Sequence, residues 1–309
     1  MRTSLSRRDL LRDAAAIVAA LLFPGPLAAC TREATRVTDP DHTRLQDWTG
    51  ALRWERLTRS DAALGTAAAR VGELAAGTPY VPHTLEAYLG TGGSAALRSE
   101  PLTLSLTRFD CVTLVEACLA VARTAAADVP SWDRFGREME RMRYRDGKRE
   151  DYTSRLHYFS EWIANGQARG LVRDLGAELG GTADERPLRF MTEHRASYVA
   201  LEDDEAFRKI GAIERSLDGH PRRVVPTARI PEVANRIQSG DVLAFATSIP
   251  GLDVTHAAFA YRDSAGVLRV LHAPLSGGVV EVTRSTLPEY VAAIKRATGI
   301  LVARPEWAI

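Results

Sequence analysis

The chain is poor in cysteine, and the few it has are not spaced for cross-linking or for metal. Cys30, Cys111 and Cys118 are three in 309 residues, with no Cys-x-x-Cys and no His-x-x-x-His pair. That spacing excludes a disulfide framework and the common zinc motifs. No Gly-x-Ser-x-Gly turn occurs, so the nucleophile elbow of many serine hydrolases is missing. The glycine-rich stretch 90–97 reads as a flexible loop, because it lacks the strand before it and the helix after it that a phosphate-binding loop requires. Charge of one sign is lacking too. The formal net charge is +1, and because four arginines and two aspartates precede Cys30, the remainder holds 36 basic and 37 acidic residues. A body so nearly neutral gives no sign of a nucleic-acid partner. No cofactor is called for.

The chain also has no apolar run long enough to span a bilayer. Residues 14–23 are wholly apolar, but about 10 residues fall well short of the roughly 20 that a membrane-crossing helix needs. They follow Ser6, Arg7, Arg8, Asp9, Leu10, Leu11 and Arg12, a paired arginine before leucines that resembles a twin-arginine export signal. The leader ends in Leu27, Ala28, Ala29 and Cys30, similar to the lipobox of bacterial lipoproteins, in which the cysteine becomes the acylated first residue. An ordinary cleavage site with Cys30 incidental is the alternative, and on either reading the protein leaves the cytoplasm. Thr31 after Cys30 lacks the aspartate that marks inner-membrane retention in some bacteria, which favours the outer membrane. The expected division is a signal peptide over 1–29, a polar tether over 30–45 and one domain over 46–309 with surface excursions near 125–150 and 180–232.

What the sequence does have is a core: 45% of residues are hydrophobic, enough for one large domain. Its centre is a helix beginning at Cys111, where Val112, Leu114, Val115, Cys118, Leu119, Val121 and Ala122 are apolar on nearly every side. A thiol in the first turn faces the positive end of the helix dipole and its unpaired N–H groups, which predicts a thiolate. The plain alternative is that Cys111 is one more small buried hydrophobe. Cys111 and Cys118 are about 10 Å apart along one helix and cannot pair. If Cys30 is acylated, two free thiols remain in an oxidising compartment, a sign of reactivity.

Elsewhere a helical period runs from Trp48 to Ala76 and stops at Gly77, Thr78, Pro79 and Tyr80. Residues 131–145 alternate in charge and read as a solvated helix or loop. Tyr152 to Ile163 is dense in aromatics and opens a helix; core packing is the ordinary use of such a segment, and Arg155, His157 and Tyr158 also suit a cleft wall. From Val242 onward the pattern turns to short strands, with Val279 to Val282 and Gly299 to Val302 among them and a short helix over Leu287 to Ile294. His256 to Tyr261 and Val267 to Ala273 form a hairpin. With Gly266 in the left-handed position of a three-residue loop, residue 258 opposes His272 and His256 lies one diagonal away on the same face; a four-residue loop would separate the two histidines.

These residues suffice for thiol chemistry on an amide. Cys111 attacks, His256 carries the proton, His272 fixes the tautomer of His256, and the Cys111 N–H serves the oxyanion, with Tyr80 a possible second donor. His83, His157, His194 and His220 are each expected first to be ordinary core or surface histidines.

Gly77-Thr78-Pro79-Tyr80, Phe109-Asp110-Cys111, Gly240-Asp241-Val242, Val254-Thr255-His256-Ala257 and Leu271-His272-Ala273, in that order, resemble the NlpC superfamily of papain-like cell-wall cysteine hydrolases. Phe109 to Thr113, Ser154 to Phe159 and Leu252 to His256 narrow the resemblance to its N-acetylmuramoyl-L-alanine amidase-like branch. The resemblance implies a papain-like α+β fold with a central helix on an antiparallel sheet, and cleavage of amide bonds in peptidoglycan or muropeptides. It implies Cys111 as nucleophile, His256 as base and His272 as third polar residue, with Tyr80 in the active site and Asp110 lining the substrate side. Val112 stands where the better-known endopeptidases carry a serine that holds a free amino terminus, which favours the muramyl–L-alanine bond over the stem-peptide bond between D-glutamate and the diamino acid. A cell-wall-binding lipoprotein without activity, and acyl transfer onto an amine, are the remaining readings.

Overall fold

The computed structural model describes residues 39–58, 62–90, 98–274 and 278–307. The leader, Cys30, the tether as far as residue 38, and residues 91–97 of the glycine-rich stretch lie outside them.

The first helix begins inside the stretch expected to be tether. α1 (Pro40–Trp54) is started by Asp39, whose carboxylate accepts from the Asp41 N–H at 2.9 Å, with Pro40 in the first turn. An Asp-Pro pair is a helix start: the acid caps the free N–H groups, and proline costs nothing where no hydrogen bond is due. The single helix expected over 48–76 is two. Leu57 donates back to the Leu52 carbonyl across Arg56, which sits at φ 60°, and this left-handed closure ends α1. α2 (Leu64–Leu74) follows and buries Leu64, Ala67, Ala68 and Val71.

α3 (Cys111–Ala126) is the predicted central helix, buried from Thr113 to Ala125. A capping box starts it: Asp110 accepts from the Thr113 N–H at 2.8 Å and Thr113 Oγ1 accepts from the Asp110 N–H at 2.8 Å. α4 (Trp132–Arg143) is not the solvated segment expected. Its charge alternation masks a period of Phe135, Met139 and Met142, and that face packs into the core with α3. Two buried charges come with it: Arg143 Nε donates to Glu116 Oε2 at 2.7 Å, each side chain 2% exposed. Removing either partner would strand the other at a cost of about 3–5 kcal/mol. α5 (Phe159–Ala168) is the helix opened by the aromatic segment.

The remainder is an eight-stranded antiparallel sheet, so the fold is α+β. Its strands are β1 (Val172–Asp174), β2 (Thr182–Asp184), β3 (Arg222–Pro226), β4 (Val242–Thr247), β5 (Val254–Arg262), β6 (Leu268–His272), β7 (Glu281–Val282) and β8 (Ala297–Pro305). The order is β2-β3-β8-β4-β5-β6-β7, with β1 also pairing β8. The 180–232 segment is therefore more than a surface excursion. β3 joins the sheet beside β8, and α6 (Asp204–Ser216) helps enclose a small core of Tyr152, Tyr158, Leu188, Met191, Leu201 and Ile210. α7 (Leu287–Ala293) covers the far face, starting at a Thr286 and Glu289 capping box.

Both sheet faces are buried. Val242, Ala244, Ala246, Ala257 and Ala303 meet the helices α1 to α4, whereas Leu243, Phe245, Ala258, Val270 and Val302 pack with Leu287 and Val291 of α7. The run of alanines on the first face lets α3 lie close to β5. Close approach is tightest where α2 crosses the turn before β4. Gly240, at φ 84°, sits against Gly65, so that a Cβ at 240 would come within 1.8 Å of the Gly65 carbonyl oxygen.

Gly240→Ala is accordingly expected to lower stability by about 3 kcal/mol, from left-handed strain and overpacking together. Urea denaturation measures it; an unchanged midpoint would contradict the backbone contact.

Candidate active site

The β5–β6 hairpin closes as its turn chemistry predicts. Gly266 takes φ 77°, Asp263 N–H donates to the Val267 carbonyl at 3.1 Å, and the Asp263 carboxylate accepts from the Ala265 and Val267 N–H groups at 3.0 and 2.9 Å. Phe259 pairs with Leu271 and Ala260 with Val270, the register that puts residue 258 opposite His272. His256 Nε2 lies 2.8 Å from His272 Nδ1. One face of the His256 ring stacks on Phe245, centroids 5.7 Å apart and planes 13° from parallel. Tyr290 of α7 adds its hydroxyl 3.3 Å from His272 Nδ1. His256 Nδ1, the other ring nitrogen, is buried with no hydrogen-bond partner among the described residues.

Cys111 comes from the opposite layer and is half-buried. Its sulfur meets the backbone N–H groups of Ala257, Val112 and Cys111 itself. Cys111, His256, His157, Val112, Asp253 and Thr255 are among the residues that line one cavity of about 150 Å³. The thiol-bearing residue from the helix and an imidazole from the sheet thus line a single recess.

The charge state differs from the expectation. Burial, followed by the Asp110 carboxylate next door, pushes the Cys111 thiol well above its ordinary range, although the three N–H groups pull the other way. The helix terminus favours thiolate, but desolvation outweighs it. Burial lowers His256 to about 3, with His272 adding to the effect, and lowers His272 to about 4. At neutral pH the site rests as thiol and neutral imidazoles.

Several residues expected in the cleft have other work. Arg155 is 6% exposed, lies 3.2 Å from Glu86 and 3.5 Å from Glu100, and stacks over Tyr152, so it is a buried structural cation and does not line the cavity. Tyr158 is 3% exposed and donates to Glu214 at 2.6 Å. Aromatic density there means core, because both side chains are consumed by buried carboxylates. Asp110 is the N-cap of α3, next to Cys111 at the mouth of the helix. Tyr80 is held beside Phe109, its N–H donating to the Gly278 carbonyl at 2.7 Å, and burial, then Cys111 and Asp110, raise its phenol to about 12, so it is a donor at neutral pH. His157 does reach the cavity and donates from Nε2 to the Tyr152 carbonyl at 2.9 Å, leaving Nδ1 as an acceptor. Cys118 is wholly buried.

Asp253 and Tyr290 went unread in the sequence. Asp253, 3% exposed, accepts from the Ser160 N–H at 2.7 Å and so caps α5, whose own N-cap Tyr158 offers no side chain. No local pattern announces a cap supplied from another element. Tyr290 sits in a recognisable short helix, but only the fold brings that helix to His272.

The fold and site define a class: an α+β protein in which a helix-borne thiol and one imidazole of a buried pair line a single recess. A family profile for AmiA-like proteins, N-acetylmuramoyl-L-alanine amidase-like, matches residues 70–300, and the chain belongs to that family. An N-acetylmuramoyl-L-alanine amidase from Bacteroides uniformis is 32% identical, with TM-score 0.72 over 79% of this chain and 99% of that one. A Bacteroides fragilis protein described as a xylanase is 33% identical, with TM-score 0.69 over 76% and 99%. A Legionella pneumophila protein at 17% identity, TM-score 0.63 over 86% and 94%, shares the fold. No curated protein matches the chain significantly.

The buried imidazoles make stability depend on pH. They stay neutral when folded down to about 3 and about 4, whereas in an unfolded chain they protonate near about 6.5. The unfolded state binds more protons between those values, so their contribution is complete above about pH 6.5 and is lost as pH falls through that window. Thermal midpoints should drop more steeply over this range in the wild type than in a His256→Gln, His272→Gln variant; parallel curves would contradict the assignment.

Proposed function

We propose that the chain is a cysteine-dependent amidase of papain-like, NlpC-type architecture that cuts between the muramyl lactyl group and L-alanine in peptidoglycan or its fragments. The observation that carries this reading is that Cys111 and His256 line one recess, the His256 Nδ1 having no hydrogen-bond partner among the described residues, in a chain of an amidase-like family. Attack by sulfur on the lactyl carbonyl carbon passes the thiol proton to His256 Nδ1. The Cys111 N–H and the Tyr80 hydroxyl receive the oxyanion. His256 then gives the proton to the departing L-alanine nitrogen, leaving a thioester, and takes one from the water that hydrolyses it.

Val112 in the cavity wall supports the amidase over a stem-peptide endopeptidase, since an apolar side chain offers nothing to a charged amino terminus. Glycoside cleavage has less support. It needs two free carboxyl groups flanking one bond, and Asp253, the acid among the lining residues, is engaged by the N–H groups of Ser160 and Val254 at 2.7 and 2.8 Å. The arginine pair and lipobox of the leader support export and lipid anchoring at Cys30, with the domain held in the periplasm, the outer membrane being favoured.

On defined muropeptides, wild-type protein is expected to release the intact stem peptide, and Cys111→Ala to reduce release by about a thousandfold or more. Mass spectrometry separates the products. A cut after D-glutamate would select the endopeptidase, and undiminished release by Cys111→Ala would end the cysteine mechanism. A wall-binding protein without activity predicts sacculus binding but no product from either.

A further inference from the structure

The site as described leaves one proton unassigned. Two neutral imidazoles joined from His256 Nε2 to His272 Nδ1 share one hydrogen, and it can sit on either nitrogen. If it sits on His272, His256 carries its own proton on Nδ1 and cannot accept one from sulfur. If it sits on His256, Nδ1 is bare and the base is competent. His272 must then hold its proton on Nε2, which is buried with no hydrogen-bond partner among the described residues.

Three polar groups of the described residues face His272. His256 comes from β5 and Tyr290 from α7, and on β7 Glu281 is its direct cross-strand partner, with Oε1 3.9 Å from Nε2. An anion beside Nε2 favours an N–H there. The Tyr290 phenol stays protonated, pushed up to about 12 by burial and then by Cys111 and Glu281, and as a donor it favours a bare Nδ1. Both influences push the shared hydrogen the same way.

We propose that Glu281 and Tyr290 are positioning residues that hold the His272 proton on Nε2, so that His256 donates from Nε2 and presents a bare Nδ1 to Cys111. Neither touches substrate; both act through His272. This deepens the cysteine reading and rests on it. During attack the proton leaves Sγ for His256 Nδ1, and the resulting imidazolium keeps its Nε2 hydrogen bond to His272. The Glu281 carboxylate then lies at the end of a chain polarised toward the positive charge.

Long-range proton–nitrogen NMR of histidine-labelled protein at neutral pH reads the tautomers without any substrate. His256 and His272 are both expected as Nε2–H in the wild type. Glu281→Ala, at a half-exposed position on the edge strand, should shift His272 toward Nδ1–H and lower kcat about tenfold with KM little changed, and Glu281→Gln should fall between. A wild-type His256 protonated on Nδ1 would overturn the proposal, as would unaltered tautomers in Glu281→Ala, even if that variant were less stable. Absence of peptide release by the wild type, with the tautomer shift intact, would remove the amidase reading while leaving the proton placement standing.

Discussion

The β5–β6 register is the constraint on which the site depends. Side chains alternate across a strand, so a slip of one residue in this hairpin would send His256 and His272 to opposite faces of the sheet and break their contact. Three features hold the register. Gly266 takes a backbone conformation other residues resist, Asp263 gathers the turn N–H groups, and the alternation of Ala257 and Phe259 with Ala258 and Ala260 leaves no apolar residue for solvent. The Phe245 ring then closes one side of His256, and α7 delivers Tyr290 to His272. The geometry of the histidine pair follows from the requirement to bury both faces of a sheet.

The same burial sets the electrostatics. A cysteine on an exposed helix terminus would gain from the dipole, yet at this position the loss of water and the carboxylate of the capping residue oppose ionisation. Asp110 is at once the cap that starts α3 and the neighbour that keeps the thiol protonated. The network around Arg155 follows the opposite rule. There a buried cation persists because Glu86 and Glu100 surround it, and its part is to tie the 152–158 segment to the body of the domain.

Some of this was legible in residue order and some was not. The central helix, the strand run after Val242, the hairpin and its histidine pair can be read locally, because a period of apolar residues or a turn glycine states them within a few positions. α4 was misread because charged residues on its outer face and the buried Glu138 and Arg143 obscured the spacing of Phe135, Met139 and Met142. At Arg155 and Tyr158 core packing and a cleft wall are both open to the sequence, because a polar residue among aromatics looks the same there whether it meets substrate or a buried carboxylate.

The sequence by itself determined the pieces: a thiol at the mouth of an apolar helix, two histidines in register on adjacent strands, and the order of motifs that marks the family. Those depend on near neighbours along the chain, where propensity and periodicity act. Only the tertiary structure decided which pieces meet and in what state of charge. Desolvation of Cys111, the cap that Asp253 lends to α5, and the approach of Tyr290 and Glu281 to His272 all arise between residues far apart in sequence. Their energies come from excluded water and through-space contact, which no local pattern records.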